Sequence, residues 1–190
     1  MSLTRDDLKV SDEEFTLCVF LLICEKHDQE GRSSLTESQL AFHDVRSACG
    51  IIDNGGLAYF MEQDMYQLEA PKGYRFFGME KAARTIETAM LLFPRWTRLK
   101  PDQVWKPDQV WKSGIFMALL TIWGWPLDKL TMKYRKNTPE SIDKEVLLPY
   151  VQNNLRSITE GLEEYLYVWQ QHWLYDPPQK RKGAGSHLRH

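Results

Sequence analysis

Apolar side chains return every third or fourth residue over most of this chain, and no run of period-two alternation is bounded by hairpin turns. That spacing is the 3.6-residue period of a helix with one buried face, so it argues against a sheet-based fold from the outset. Phe15, Cys18, Val19, Leu22 and Ile23 set the pattern. Ser11, with Glu14 three residues later, opens this element as a capping box, and Gly31 stops it. A second start follows at Thr36, with Gln39 in the reciprocal position, ahead of Leu40, Ala41, Val45, Ala48 and Ile52. Asp53-Asn54-Gly55-Gly56 then breaks the helix, because Asn and Gly tolerate positive φ. Leu57, Tyr59, Phe60 and Met61 resume as a short helix, with Tyr59 and Phe60 turned inward.

Beyond this point Pro71, Gly73 and Gly78 predict an irregular stretch over 66–78, in which Tyr74 to Phe77 is the one short strand candidate. Met79 to Phe93 reads as a helix with Met79, Ala82, Ala83, Ile86, Met90 and Phe93 inward, and Pro94 lies just past its end. Residues 100–111 repeat Lys-Pro-Asp-Gln-Val-Trp twice. Two copies are too few for a solenoid, so the repeat reads as a duplication in a surface loop. Ser113 to Trp123 predicts a buried helix closed by Gly124 and Pro126, and Leu127 to Tyr134 a short one. Thr138 before Pro139 reads as a helix cap. From Pro149 onward, Val151, Leu155, Ile158, Leu162, Leu166, Trp169 and Trp173 form one stripe on a long C-terminal helix ended by Pro177-Pro178. The expected architecture is all-α: a single-domain multi-helix bundle over residues 11–178, between a flexible leader (1–10) and a flexible basic tail (179–190).

A hydrophobic fraction of 43% and a charged fraction of 26% are those of a globular chain with a core of its own. Cys18, Cys24 and Cys49 are odd in number and match no zinc or redox spacing. The first two lie in an apolar run and read as buried thiols, which suits a reducing cytoplasm. No apolar segment follows a basic start, so no signal peptide is expected. The longest apolar run, Gly114 to Trp125, is well short of the roughly 20 residues that span a bilayer, so no membrane association is expected.

Candidate chemistry is sparse. His27, His43, His172, His187 and His190 stand at no metal-like offset from one another, from Cys or from carboxylates. His43 and Asp44 are helix neighbours and are expected to point apart. There is no Gly-x-Ser-x-Gly, and Gly55-Gly56 lacks the further glycines and Lys of a phosphate loop. No catalytic residue, cofactor or metal ligand is therefore assigned. Charge is more informative. Residues 1–70 carry fourteen Asp and Glu against five Lys and Arg, a balance of −9, and residues 71–190 carry twelve against nineteen, +7. Asp12, Glu13, Glu25, Asp28, Glu37 and Asp44 are the candidates for an acidic surface that attracts a basic partner.

Residues 44–61, and within them Asn54-Gly55-Gly56-Leu57 followed by Tyr59-Phe60, resemble the bacterial DNA-mimic-protein-like domain family, whose members run from a helix into Asn-Gly-Gly, an apolar residue and an aromatic pair. The segment from Gly78 to Pro94 resembles the helix that follows in that family, so the resemblance covers about residues 36–96. Leu57 stands where the family carries an aromatic and Ala58 where it carries Gln, and the net charge of −2 is far from that of a committed DNA mimic. The resemblance thus implies an all-α fold more than it implies mimicry.

The expected function is a non-enzymatic protein-binding module. It would meet a basic or DNA-binding protein through its acidic face, bind no nucleic acid specifically beyond weak contacts of the Lys180-Arg181-Lys182 tail, and be able to homodimerise through apolar surface on the C-terminal helix and its Trp residues. Asp53, Asn54, Gly55, Gly56, Tyr59 and Phe60 are the candidate binding motif. The alternative is a small-molecule or hydrolytic enzyme whose pocket gathers that turn with Asp53, Tyr59 and His43.

Overall fold

The computed structural model describes residues 11–63, 69–93 and 110–166. Among these residues there are seven α-helices and no strand: α1 (Asp12–Glu30), α2 (Glu37–Glu62), α3 (Ala70–Phe76), α4 (Glu80–Leu91), α5 (Val110–Asn137), α6 (Leu148–Asn153) and α7 (Leu155–Ile158). The leader, Pro94, the first ten residues of the tandem repeat, Trp169, Trp173, Pro177-Pro178 and the basic tail lie outside the described residues. The chain groups into two compact units. One draws its described residues from Met1–Gln39 and Tyr150–His190, the other from Leu40–Pro149.

In the first unit, both capping boxes read from sequence are present. The Ser11 hydroxyl accepts from Glu14 N–H at 3.3 Å while Glu14 Oε2 accepts from Ser11 N–H at 2.9 Å. Thr36 Oγ1 likewise accepts from Gln39 N–H at 3.3 Å and Gln39 Oε1 from Thr36 N–H at 3.1 Å. Gly31 closes α1 by donating its N–H to the His27 carbonyl at 2.8 Å. Phe15, Cys18, Val19, Leu22 and Ile23 are buried as their spacing demands. Gln39 does more than cap: its side-chain amide donates to the carbonyls of Ile158 (3.1 Å) and Glu160 (2.8 Å). The Tyr165 hydroxyl donates to Glu30.

Those contacts hold a segment that departs from expectation. The single helix predicted from Pro149 is broken within the described residues. α6 ends at Asn153, Asn154 leaves helical geometry (φ −127°, ψ 29°), and α7 ends at Ile158. Gly161 then turns the chain at φ 68° before a 3₁₀ turn over Glu163–Tyr165. Val151, Ile158 and Leu162 are buried even so, because short helical pieces present the same residues inward.

In the second unit α2, α3, α4 and α5 pack together. Residues 66–78 were expected to be irregular, yet Ala70–Phe76 is helical. Pro71 lies in the first turn, where its missing N–H costs nothing. Gly73 lets α3 lie close against α2: a Cβ there would stand 2.9 Å from the Ala41 carbonyl oxygen and 3.0 Å from Val45 Cγ2. Tyr74, assigned to a strand candidate, is instead buried in this helix. α4 buries Ala82, Ala83, Ile86 and Met90 as predicted.

The helix predicted to stop at Gly124 and Pro126 runs through both to Asn137. Leu120, Leu127 and Tyr134 recur every seven residues and are buried, so one inward face continues across the proline. Packing on that face outweighs the one backbone hydrogen bond that Pro126 removes. Thr138 does not open a helix. Its hydroxyl donates back to the Tyr134 carbonyl at 3.1 Å, closing α5. The next helical segment starts instead at Ser141, whose hydroxyl accepts from Lys144 N–H (3.3 Å) and whose N–H donates to Glu145 Oε1 (3.0 Å). It passes through a π-helical stretch at Asp143–Leu147 into α6.

Replacing Gly73 with Ala should destabilise the chain by about 1–3 kcal/mol, since a methyl group has no room beside the Ala41 carbonyl. Gly50 is also helical, but open space lies where its Cβ would go, so Gly50→Ala should stabilise by about 0.5–1 kcal/mol. Urea unfolding of the two variants measures both.

Candidate functional site

The Asn54-Gly55-Gly56 segment does what its chemistry dictates. α2 is bent there, with Gly56 at φ 72°, ψ −173°, a region essentially closed to other residues. The bend carries Leu57 N–H to Thr131 Oγ1 of α5 at 2.9 Å, and the same hydroxyl donates to the Leu127 carbonyl at 2.9 Å. A Cβ on Gly56 would stand 3.0 Å from Thr131 Oγ1. Asn54 and Gly55 are exposed. The aromatic pair splits. Phe60 is buried, whereas Tyr59, expected inward, is 42% exposed and lies back over Gly55. Leu57, Phe60 and Met61 take the inward positions after the bend, and Tyr59 falls on the outer side. The bend is therefore filled by protein on its Gly56 side. Thr131, which completes it, carries no local signal in the sequence.

A recess lies one turn earlier. Arg46, Cys49, Gly50 and Asp53 occur at intervals of three, one and three along α2, which places them on one side of the helix. With Glu140, Ser141, Ile142 and Asp143 they line a cavity of about 190 Å³. Arg46 Nη2 meets Asp143 Oδ2 at 3.1 Å. Asp53 faces the recess without the rest of the predicted motif. Partial desolvation raises its carboxyl above the usual aspartate range, Arg135 opposes that shift, and Asp143 adds to it. Burial pushes the Cys49 thiol up to about 12, with Asp143 and Asp53 adding to the rise. The thiol donates to the Arg46 carbonyl at 3.3 Å. At neutral pH it is a protonated, weak nucleophile.

His43 is not at this recess in the way the enzymatic alternative requires. It is buried, and its Nδ1 lies 3.3 Å from Asp44 Oδ1, so these neighbours touch rather than point apart. Asp44 is only 2% exposed and must be withdrawn from the acidic surface. α3 covers it, with the position of a Gly73 Cβ 3.4 Å from Asp44 Cβ. Glu25 is half-buried and accepts from Gln29, while Asp28 and Glu37 are exposed. Asp12 and Glu13 lie in the first turn of α1, and their side chains fall outside the described ones.

The unit division retains part of the charge asymmetry: over the full sequence Met1–Gln39 with Tyr150–His190 carries thirteen Asp and Glu against nine Lys and Arg, −4, and Leu40–Pro149 thirteen against fifteen, +2. Residues 11–39 and 150–166 hold ten Asp and Glu against three Lys and Arg, a balance of −7. The described residues of 40–149 hold ten against eleven, +1. Within the acidic unit, Glu14, Leu21, Glu25 and Asp28 fall on one side of α1. A broad hollow of about 900 Å³ runs along residues 153–163, with Arg156, Glu160 and Glu163 among its walls.

Two further features escaped sequence reasoning. Tyr74 and Tyr134 hydroxyls meet at 2.5 Å in the interior, with the rings edge to face at 5.8 Å. Burial raises both phenols well above their ordinary range. α5 also exposes Ile122, Trp125 and Met132, each about two-thirds accessible (66%, 69% and 65%).

Among the described residues, no group of three His, Cys, Asp or Glu could hold a metal ion, and no helix is long and apolar enough to cross a membrane. No family model, no curated protein and no solved structure matches the chain.

Thr131→Val should cost about 1–3 kcal/mol in urea unfolding, because Leu57 N–H is left buried without its acceptor, and Thr131→Ser should recover most of the loss. Asp53 makes a pH-dependent contribution of opposite sign. Its raised carboxyl means that the folded state binds the proton more tightly than the unfolded state. Stability is therefore lost as pH rises from the ordinary aspartate value of 3.8 through the raised one. Asp53→Asn should raise the melting temperature at pH 7, and the gain should vanish as pH falls below 3.8.

Proposed function

We propose that the chain is a non-enzymatic protein-binding module whose acidic unit docks a basic partner, a DNA-binding protein being the class with the most suitable surface. The reading rests on one observation: the excess of carboxylates falls on one compact unit, −4 against +2 for the other over the full sequence and −7 against +1 among the described residues. Exposed like charges on a small body raise the local concentration of oppositely charged partners and speed their encounter. Asp28 and Glu37 are exposed there, and an open hollow lined by Arg156, Glu160 and Glu163 adds concave surface with one carboxylate in excess. The resemblance of residues 44–61 to the DNA-mimic-protein-like domain points the same way, although that motif lies in the other unit and its bend is occupied by Thr131.

A second reading, a small-molecule or hydrolytic enzyme, draws on the recess at Asp53 and on its raised carboxyl. The recess is smaller than the roughly 300 Å³ at which ligand pockets begin, and its thiol is held protonated. His43 is engaged with Asp44 instead. This reading stands second.

The triple variant Glu25→Gln, Asp28→Asn, Glu37→Gln tests the first reading. Affinity capture from the native cell should recover a basic protein with the wild-type chain. Recovery should fall by tenfold or more with the variant, and also as ionic strength rises from about 0.1 to 1 M. Equal recovery by both chains at every ionic strength would overturn it.

A further inference from the structure

α5 is apolar on two sides. Leu120, Leu127 and Tyr134 face the core, 7%, 0% and 1% exposed. On another side Ile115, Ala118, Ile122, Trp125, Lys129 and Met132 follow one another at intervals of three, four, three, four and three residues. All six are exposed, from 40% at Ile115 to 69% at Trp125 among the large apolar ones. The Lys129 ammonium sits 3.5 Å from the centre of the Trp125 ring. The stripe spans about 26 Å of helix.

Alternation of three and four is the a/d spacing of a helix that pairs with another helix. Exposed apolar surface of this extent, with polar side chains beside it, marks an interaction site. The stripe is also lopsided in a way that selects the occupant. Its first half, Ile115, Ala118 and Ile122, is aliphatic and uncharged. Its second half, Trp125, Lys129 and Met132, is large, and Lys133, Arg135 and Lys136 add positive charge near it. A second copy running antiparallel lays each half on the other: Met132 on Ile115, Lys129 on Ala118 and Trp125 on Ile122, twice over about a two-fold axis. Trp125 and Lys129 meet aliphatic side chains, and the two basic ends at Lys133, Arg135 and Lys136 are held apart. A parallel copy would stack Lys129 on Lys129 and bring the basic ends together.

We propose that the chain self-associates as an antiparallel dimer through this face of α5. The reading is independent of the acidic unit, since every residue it uses belongs to the other one. One helix pair of this length falls among small interfaces, below about 1,200 Å², so the dimer should form in a concentration-dependent way.

Sedimentation of the full chain over roughly 1–500 µM tests it. The wild type should pass from monomer to dimer, and Ile122→Glu with Trp125→Glu should stay monomeric with unchanged helical circular dichroism. Should that pair unfold the chain, Trp125→Lys alone keeps the test, since Trp125 is among the most exposed large residues. Orientation is read by oxidative cross-linking. Ala118→Cys mixed with Lys129→Cys should give a mixed disulfide dimer, and neither alone should link beyond the wild type. A wild type that stays monomeric throughout overturns the proposal, including one that binds an acidic helical peptide or anionic vesicles through Trp125. So does a dimer that survives the substitutions, or an Ala118→Cys chain that links to itself.

Discussion

The Thr131 hydroxyl fixes how α2 and α5 meet. It accepts the amide of Leu57 and donates to the Leu127 carbonyl, using both capacities in a buried position. An amide freed by a bend in a helix needs an acceptor when water is excluded. α5 supplies it from a side chain that also repays its own helix's carbonyl. The glycine at 56 is the necessary counterpart, because only a residue without Cβ can take that backbone conformation so close to a threonine. From this joint Leu57, Phe60 and Met61 are sent inward. Asp53, one turn earlier on the unbent part of α2, is left beside the segment at Asp143.

Charge and apolar surface are divided between the two units. The acidic unit has a small set of buried residues and many carboxylates, a surface suited to fast, salt-sensitive encounters. The other is near neutrality and leaves apolar surface on α5, a surface suited to contact with another helix. The recess at Asp53 fits neither role. An Arg46–Asp143 ion pair, a protonated thiol and a reluctant carboxyl are compatible with a structural crevice, where partial burial alone perturbs titration.

What could be read from sequence was local. Ser11 with Glu14, Thr36 with Gln39, and Gly31 carry their meaning within four residues, and all act as read. The bend at Asn54-Gly55-Gly56 was legible for the same reason. The failures arose where distant packing overrode a local signal. Pro126 did not end α5, because the seven-residue recurrence of Leu120, Leu127 and Tyr134 holds one face to the core on both sides of it. Gly73 did not mark a loop, because it is the contact point of a helix crossing. Asp44 read as surface charge and is covered by α3. Of the candidate motif, only Asp53 reached a recess, and its companions there, Arg46, Cys49 and Asp143, are brought together by the fold rather than by adjacency in sequence. The outward stripe on α5 was present as spacing, but the same residues read equally well as core, and only their exposure separates the two meanings.

The paired phenols of Tyr74 and Tyr134 give the second unit a built-in optical reporter. Each ring is shut away from water and each hydroxyl leans on the other, so neither can become a tyrosinate while the interior stays closed. On alkaline titration their share of the ultraviolet tyrosinate band should therefore appear abruptly, when α3 parts from α5. That step reports the opening of this unit without any label.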